Sequence, residues 1–229
     1  GWTSSSAGSA RLRAFSRRPL PDATRWARRS GEPTCSLPRR ASGWPVDVIP
    51  FAGVQDDRGT IAWPPEMSIV MNVSGFQEAL ESAVSVQIDS DLVVPIVSIP
   101  AFVILKLFAW NDRRGGNPKD APDIYQVLTV YADLGNSDRL HDQHPDVLEA
   151  MDYDMERAGA YLLGHDVAAI ATAETIRQLR GLLAAPRRTR LVLDIAEANR
   201  HLEQAESTAQ RLLEALTDGF DAQQASSAS

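Results

Sequence analysis

A few residues of this chain stand in surroundings that their chemistry does not favour. In GWPVDVIPFAG, Asp47 interrupts an apolar run that has the pattern of a buried strand. A carboxylate there needs a partner or a task, because an unpaired buried charge is costly or takes up a proton. In a strand Asp47 points away from Val46 and Val48, so it leaves the layer those two enter. In IPAFVILKLFAWNDR, Lys106 is flanked on its own helical face by Phe102, Val103, Ala109 and Trp110. Arg113 lies seven residues further on, about two helical turns, and so shares the Lys106 face. Lys119, Asp120 and Asp123 follow at once in KDAPDIYQVL. Plainer accounts exist for each: a lysine whose stem lies on apolar surface while its head reaches water, and acids placed at a helix start to suit the dipole. Together they suggest one chemistry. A strand carboxylate binds Mg²⁺, lysine and arginine bind a triphosphate, and acids at a helix start hold the lysine or receive a proton. These are the parts of nucleotidyl transfer, in which two metal ions clamp the attacking and leaving oxygens. Mg²⁺ sites ask for two or three carboxylates, and on this strand there is Asp47 alone.

The elements that must position these residues follow from period and punctuation. A strand is predicted over 46–51, a turn at Asp56-Asp57-Arg58-Gly59, and no central strand through Trp63-Pro64-Pro65. A strand over 68–73 and a short helix over 75–83 come next. Alternation over 84–88 and 92–97 predicts a hairpin turning at 89–91. An apolar helix spans 99–112 with Pro100 in its first turn, and 113–118 is a basic, glycine-rich loop. From Lys119 onward the period is helical, with Ile124, Leu128 and Tyr131 on one stripe. Further helices are predicted over 146–163, 173–184 and 189–216. Strands first and helices after make an α+β chain with a helical C-terminal part.

Composition sets the limits. The chain has 229 residues, 44% of them hydrophobic, enough to bury a core. No apolar run reaches the roughly 18 residues of a membrane span, and one cysteine, Cys35, makes no internal disulfide. The four histidines, His141, His144, His165 and His201, lack metal-ligand spacing. A cytoplasmic protein with no membrane partner is expected. The net charge of −7 is uneven: residues 1–44 hold nine arginines against two acids, which leaves −14 on the rest. Such an acidic body does not wrap nucleic acid, though a local basic site is compatible with it. Three regions result: a basic segment over 1–43, disordered by composition or out of frame; an α+β domain over 44–116; and a helical region over 117–229.

WPVDVIPFAGVQDDRGTIAWPP, MSIVMNVSGFQEALESAV, VSIPAFVILKLFAWNDR and KDAPDIYQVL, in that order, resemble the AbiEii/AbiGii toxin family of nucleotidyltransferases, over about residues 44–140. A weaker echo runs through LLGHDVAAI. The resemblance implies a nucleotidyltransferase-like mixed sheet with helices, followed by a helical part, and the toxin half of a bacterial toxin–antitoxin pair. It implies Mg²⁺ as cofactor, an NTP as donor, an RNA or protein acceptor and a cognate antitoxin as partner. It makes Asp47 a catalytic metal ligand, the third carboxylate of the set. It gives Lys106 a nucleotide contact and puts Lys119, Asp120 and Asp123 in the motif that follows; on the residues themselves Arg113 joins Lys106 and Lys119 as a nucleotide contact, with Asp120 and Asp123 as catalytic acids.

Family members also carry an upstream glycine-serine or glycine-glycine element and two acids on one strand, usually followed by Phe-Gly. Residues 1–44 hold neither, and Asp22 and Glu32 stand isolated among Pro and Arg. The genetic code offers an account. Trp2-Thr3-Ser4-Ser5-Ser6-Ala7, read from the last base of the tryptophan codon, spells Asp, and permitted serine codons then spell Phe-Glu-Phe-Gly. The missing pair is thus recoverable from another frame. The resulting expectation is a nucleotidyltransferase-like protein impaired in this chain. The alternatives are a non-catalytic remnant or protein-binding module that keeps the fold, and an organellar protein with an Arg- and Ser-rich transit segment.

Overall fold

The structure is a computed structural model, and it describes residues 49–51, 53–56, 59–62, 67–68, 70–113 and 119–227. Asp47, the predicted basic segment and the reading-frame account therefore lie outside the described residues. The chain divides into two compact units, Gly1–Pro50 with Ala62–Val70, and Phe51–Ile61 with Met71–Ser229. Of the first, only Ile49, Pro50, Ala62, Met67, Ser68 and Val70 are described.

The architecture is α+β and mostly helical. Strands β1 (Thr60–Ala62) and β2 (Val70–Asn72) form one two-stranded sheet, and the Val73 amide donates to the Gly59 carbonyl at 2.8 Å. The short helix α1 (Phe76–Glu81) follows Gly75, whose φ of 84° and close approach to Ile104 exclude a side chain there. Strands β3 (Val84–Asp89) and β4 (Leu92–Ile96) pair antiparallel, Val84 opposite Ile96 and Val86 opposite Val94. The predicted hairpin is thus present, with an irregularity between Gln87 and Asp89 at the turn. The two pairs form two separate sheets among the described residues rather than the single mixed sheet expected.

Eight helices follow among the described residues: α2 (Ile99–Arg113), α3 (Asp120–Val130), α4 (Ser137–Gln143), α5 (Pro145–Ala150), α6 (Met155–Ile170), α7 (Ala173–Leu183), α8 (Arg187–Ala198) and α9 (Ala205–Ser227). Two predicted helices are each broken in two. The helix expected over 146–163 stops at Ala150 because Asp152 and Tyr153 adopt positive φ, and Asp154 then caps α6 by accepting the Arg157 amide at 3.0 Å. The helix expected over 189–216 breaks between Ala198 and Ala205, with Gln204 at φ 62°. Apolar period ran unbroken through both interruptions, so it concealed them.

One hydrophobic core joins α2, α3, α6, α7, α8 and α9, with Trp110, Leu128, Leu163, Leu179, Ile195 and Phe220 among its buried side chains. α2 and α3, on either side of the predicted boundary near 116, share that core. No helix among the described residues is long and apolar enough to cross a membrane.

Candidate functional site

Two helices build the site, and their apolar faces aim it. α2 buries Ala101, Val103, Ile104, Leu107, Phe108 and Trp110, which leaves Lys106 and Arg113 at the border of that buried face, partly or fully exposed. α3 buries Ala121, Ile124, Tyr125 and Leu128 through the same core. Its first turn carries Asp120 and Asp123, where carboxylates suit the positive end of the helix dipole.

There the four side chains meet. The Lys106 ammonium donates to Asp120 Oδ1 at 3.0 Å and to Asp123 Oδ2 at 2.6 Å. Arg113 donates to the other oxygen of Asp120, from Nε at 3.0 Å and from Nη2 at 2.5 Å. The Phe102 ring lies 5.3 Å from the Lys106 nitrogen, within reach of a cation–π contact. The Asp120 side chain is 0% exposed, Lys106 23% and Asp123 46%. Burial on its own lowers the Lys106 pKa, but the hydrogen bonds to Asp123 and Asp120, with their charges, outweigh it and raise the lysine above its ordinary value. Lys106 is therefore a fixed cation rather than a neutral nucleophile.

The exposures rank the contacts. Removing Asp120 takes away charge-assisted bonds from both cations, but Lys106 keeps Asp123 and Arg113 is 46% exposed, so the cost is about 2 kcal/mol. A half-exposed pair contributes about 0.2–1 kcal/mol, the case of Asp123. Asp123 thus has chemistry to spare: one oxygen is taken by Lys106, and half its surface meets water.

Of the residues singled out by sequence, the structure brings Lys106, Arg113, Asp120 and Asp123 together. Lys119 stands apart from them: it precedes α3 and lines an open cleft of about 930 Å³ with Pro122 and the C-terminal half of α8. Asp47 lies outside the described residues.

Sequence reasoning missed three polar ties. Asp194 is buried in α8, accepting the Trp110 indole N–H at 2.9 Å and pairing with Arg190 at 2.9 Å. Asp166 accepts from Nη1 and Nη2 of Arg139, each at 2.8 Å, and from the Tyr131 hydroxyl at 2.6 Å. Burial works to raise the Asp166 carboxyl, yet Arg139 and Tyr131 prevail and hold it below the usual carboxylate range. Beside it the His144 and His165 rings meet edge to face with centroids 5.3 Å apart. Burial, then the neighbouring His165, depresses His144 below its ordinary value. Glu78 of α1 accepts the hydroxyls of Thr172 and Thr175, linking α1 to the start of α7. The signal for Asp194 and Asp166 was the one used for Asp47, a single acid inside an apolar run: LVLDIA and LLGHDVAAI.

Mg²⁺ prefers several carboxylate oxygens. Asp120 gives both of its oxygens to Lys106 and Arg113, Asp123 gives one, and the two acids are already matched by two cations. This four-residue group does not fit a Mg²⁺ ion, and among the described residues no three His, Cys, Asp or Glu side chains gather as a metal set. Comparison of the chain with protein-family models, with curated proteins and with solved structures gives no match.

Proposed function

We propose that this chain carries the nucleotide-handling part of a nucleotidyltransferase of toxin–antitoxin type, impaired in transfer as it stands. The observation that supports this reading is the convergence of Lys106, Arg113, Asp120 and Asp123 on one partly open spot, three of them residues that the sequence resemblance marks. In this reading Asp120 is a positioning residue. Held in the core, it fixes both cations in direction while their remaining donors point to incoming phosphate oxygens; Lys106 has a third N–H and Arg113 has three more. Asp123, half in water, accepts the proton of the acceptor hydroxyl at its unengaged oxygen. The donor is an NTP and the acceptor an RNA or protein hydroxyl. No step is assigned to Mg²⁺, since the described carboxylates do not fit it. A cytoplasmic location and a cognate antitoxin belong to the same reading.

A second reading is favoured by the charge balance: two cations answered by two acids also describe a structural clasp between α2 and α3, in a non-catalytic remnant or binding module. Labelled NTP, offered to bulk RNA and to cell protein, separates the two. The 229-residue chain should transfer little label. A version with the alternative N-terminal frame restored should transfer it readily, and lose that activity on Asp47→Asn. Inactivity of the restored version would favour the clasp.

A further inference from the structure

The cleft beside Lys119 has a charge pattern of its own. Its walls are the first turn of α3, with Lys119 and Pro122, and the far half of α8 with the turn after it, carrying Arg190, Asp194, Arg200 and His201. Asp194 is committed to the Trp110 indole and to Arg190. Glu197, also on this wall, is committed to Arg200 at 3.0 Å. Lys119 and His201 have no acid partner among the described residues. In a chain of net charge −7, this open hollow therefore presents the unspent positive charge of Lys119 beside the two paired arginines. Leu193 and Ala198 line the same hollow, and both are exposed, so the cleft is open to solvent.

We propose that this cleft is a phosphate-binding site, distinct from the Lys106 cluster, in which Lys119 and His201 grip the anion and Arg190 and Arg200 flank it. Asp194 positions Arg190 from below while anchoring it to Trp110, so the α8 wall keeps its shape when an anion arrives. The bound group is a phosphate, either of a free nucleotide or of a polynucleotide backbone. Phosphate binding here requires neither metal nor transfer, so it goes beyond the proposed function and fails or stands separately from it.

The test follows the His201 ring protons by NMR at fixed pH, assigned with His201→Gln, in the full chain without metal. Inorganic phosphate, an NTP and a short single-stranded RNA are added in turn. A bound anion should move the His201 ring signals saturably, because the charge arrives within hydrogen-bonding range of the ring. His141, His144 and His165 should not move. The double variant Lys119→Ala with Arg200→Ala, both at exposed or open positions, should weaken binding about tenfold or more. The remote exposed variant Arg177→Ala should bind as the parent does. A response to phosphate and NTP but not RNA identifies a free nucleotide as the source, and a tighter response to RNA identifies a polynucleotide. No saturable shift with any of the three probes, or a shift that survives the double variant, overturns the proposal. A normal His201 response in a frame-restored protein that transfers no label would sink the proposed function and leave this site standing.

Discussion

Where α6 and α9 cross, Gly164 and Gly219 let the backbones touch: a Cβ added at Gly164 would come 2.0 Å from the Leu216 carbonyl oxygen. At the β3–β4 hairpin the opposite holds, and every residue of β3 is exposed. The hairpin is amphipathic, since Val84, Val86 and Ile96 share one face while Ser85 and Gln87 share the other. Its apolar face nonetheless meets solvent. The contrast shows two sources of order in one chain. The helices are fixed by buried area and close packing. The hairpin rests on its ladder and turn, and an isolated two-stranded ribbon is marginal in water. The candidate site belongs to the first kind, because α2 and α3 are tied through the common core.

The largest effect should follow from closing the helix crossing. Gly164→Leu should destabilise the chain by about 4 kcal/mol, since neither backbone has room to give. Thermal unfolding followed by circular dichroism measures this, and a melting temperature close to the parent's would mean that α6 and α9 do not meet there. Next comes Asp120→Ala, which takes the buried acceptor from Lys106 and Arg113 and should cost about 2 kcal/mol. Asp123→Asn should cost no more than about 1 kcal/mol. Equal losses for the two would remove the distinction between a buried anchor and a half-exposed working acid.

Acid titration gives a smaller and directional effect. The folded-state pKa values of His144 and Asp166 both lie below their ordinary values of 6.5 and 3.8. The unfolded chain therefore takes up these protons first, and each group's stabilising contribution is complete above its ordinary value and falls as pH drops through the folded one. Stability should begin to decline below about pH 6.5, and His144→Gln should remove that upper part of the decline. Lys106 runs the other way: its raised pKa gives a contribution that is whole below 10.5 and is lost as pH climbs through the higher folded value. The least effect is expected at the hairpin, where Val86→Thr should change stability by no more than about 0.5 kcal/mol. Hydrogen exchange should show the β3 and β4 amides opening well before those of α2 and α6.

Sequence pattern made the hairpin and α2 legible because both are clearly punctuated, by Asp89–Asp91 in one and Pro100 in the other. The meeting of Lys106 with Asp120 and Asp123 was legible as a possibility, since acids at a helix start after a lysine-bearing apolar helix have few other places to go. The helix breaks at Asp152–Tyr153 and at Gln204 were hidden. Positive φ at non-glycine residues carries no signature in hydrophobic period, and apolar residues recur in phase on both sides of each break. The Asp194 and Asp166 ties were hidden for a different reason: their partners Trp110 and Arg139 are distant in sequence, and only the packed helices bring them close. Lys119 is next to Asp120 in sequence, yet it lines the neighbouring cleft and has no ion pair with the cluster among the described residues.

The most direct test of the account is the rate of labelled nucleotide transfer by the frame-restored protein carrying Lys106→Gln, with its melting temperature measured alongside. The lysine is proposed to meet phosphate oxygens whose charge grows during transfer, so the rate should fall by about a hundredfold or more. The melting temperature should fall by only a few degrees, because Arg113 still answers Asp120 in the core. Transfer at the parent's rate by a folded Lys106→Gln protein would contradict the account and leave the Lys106 group as a clasp between two helices.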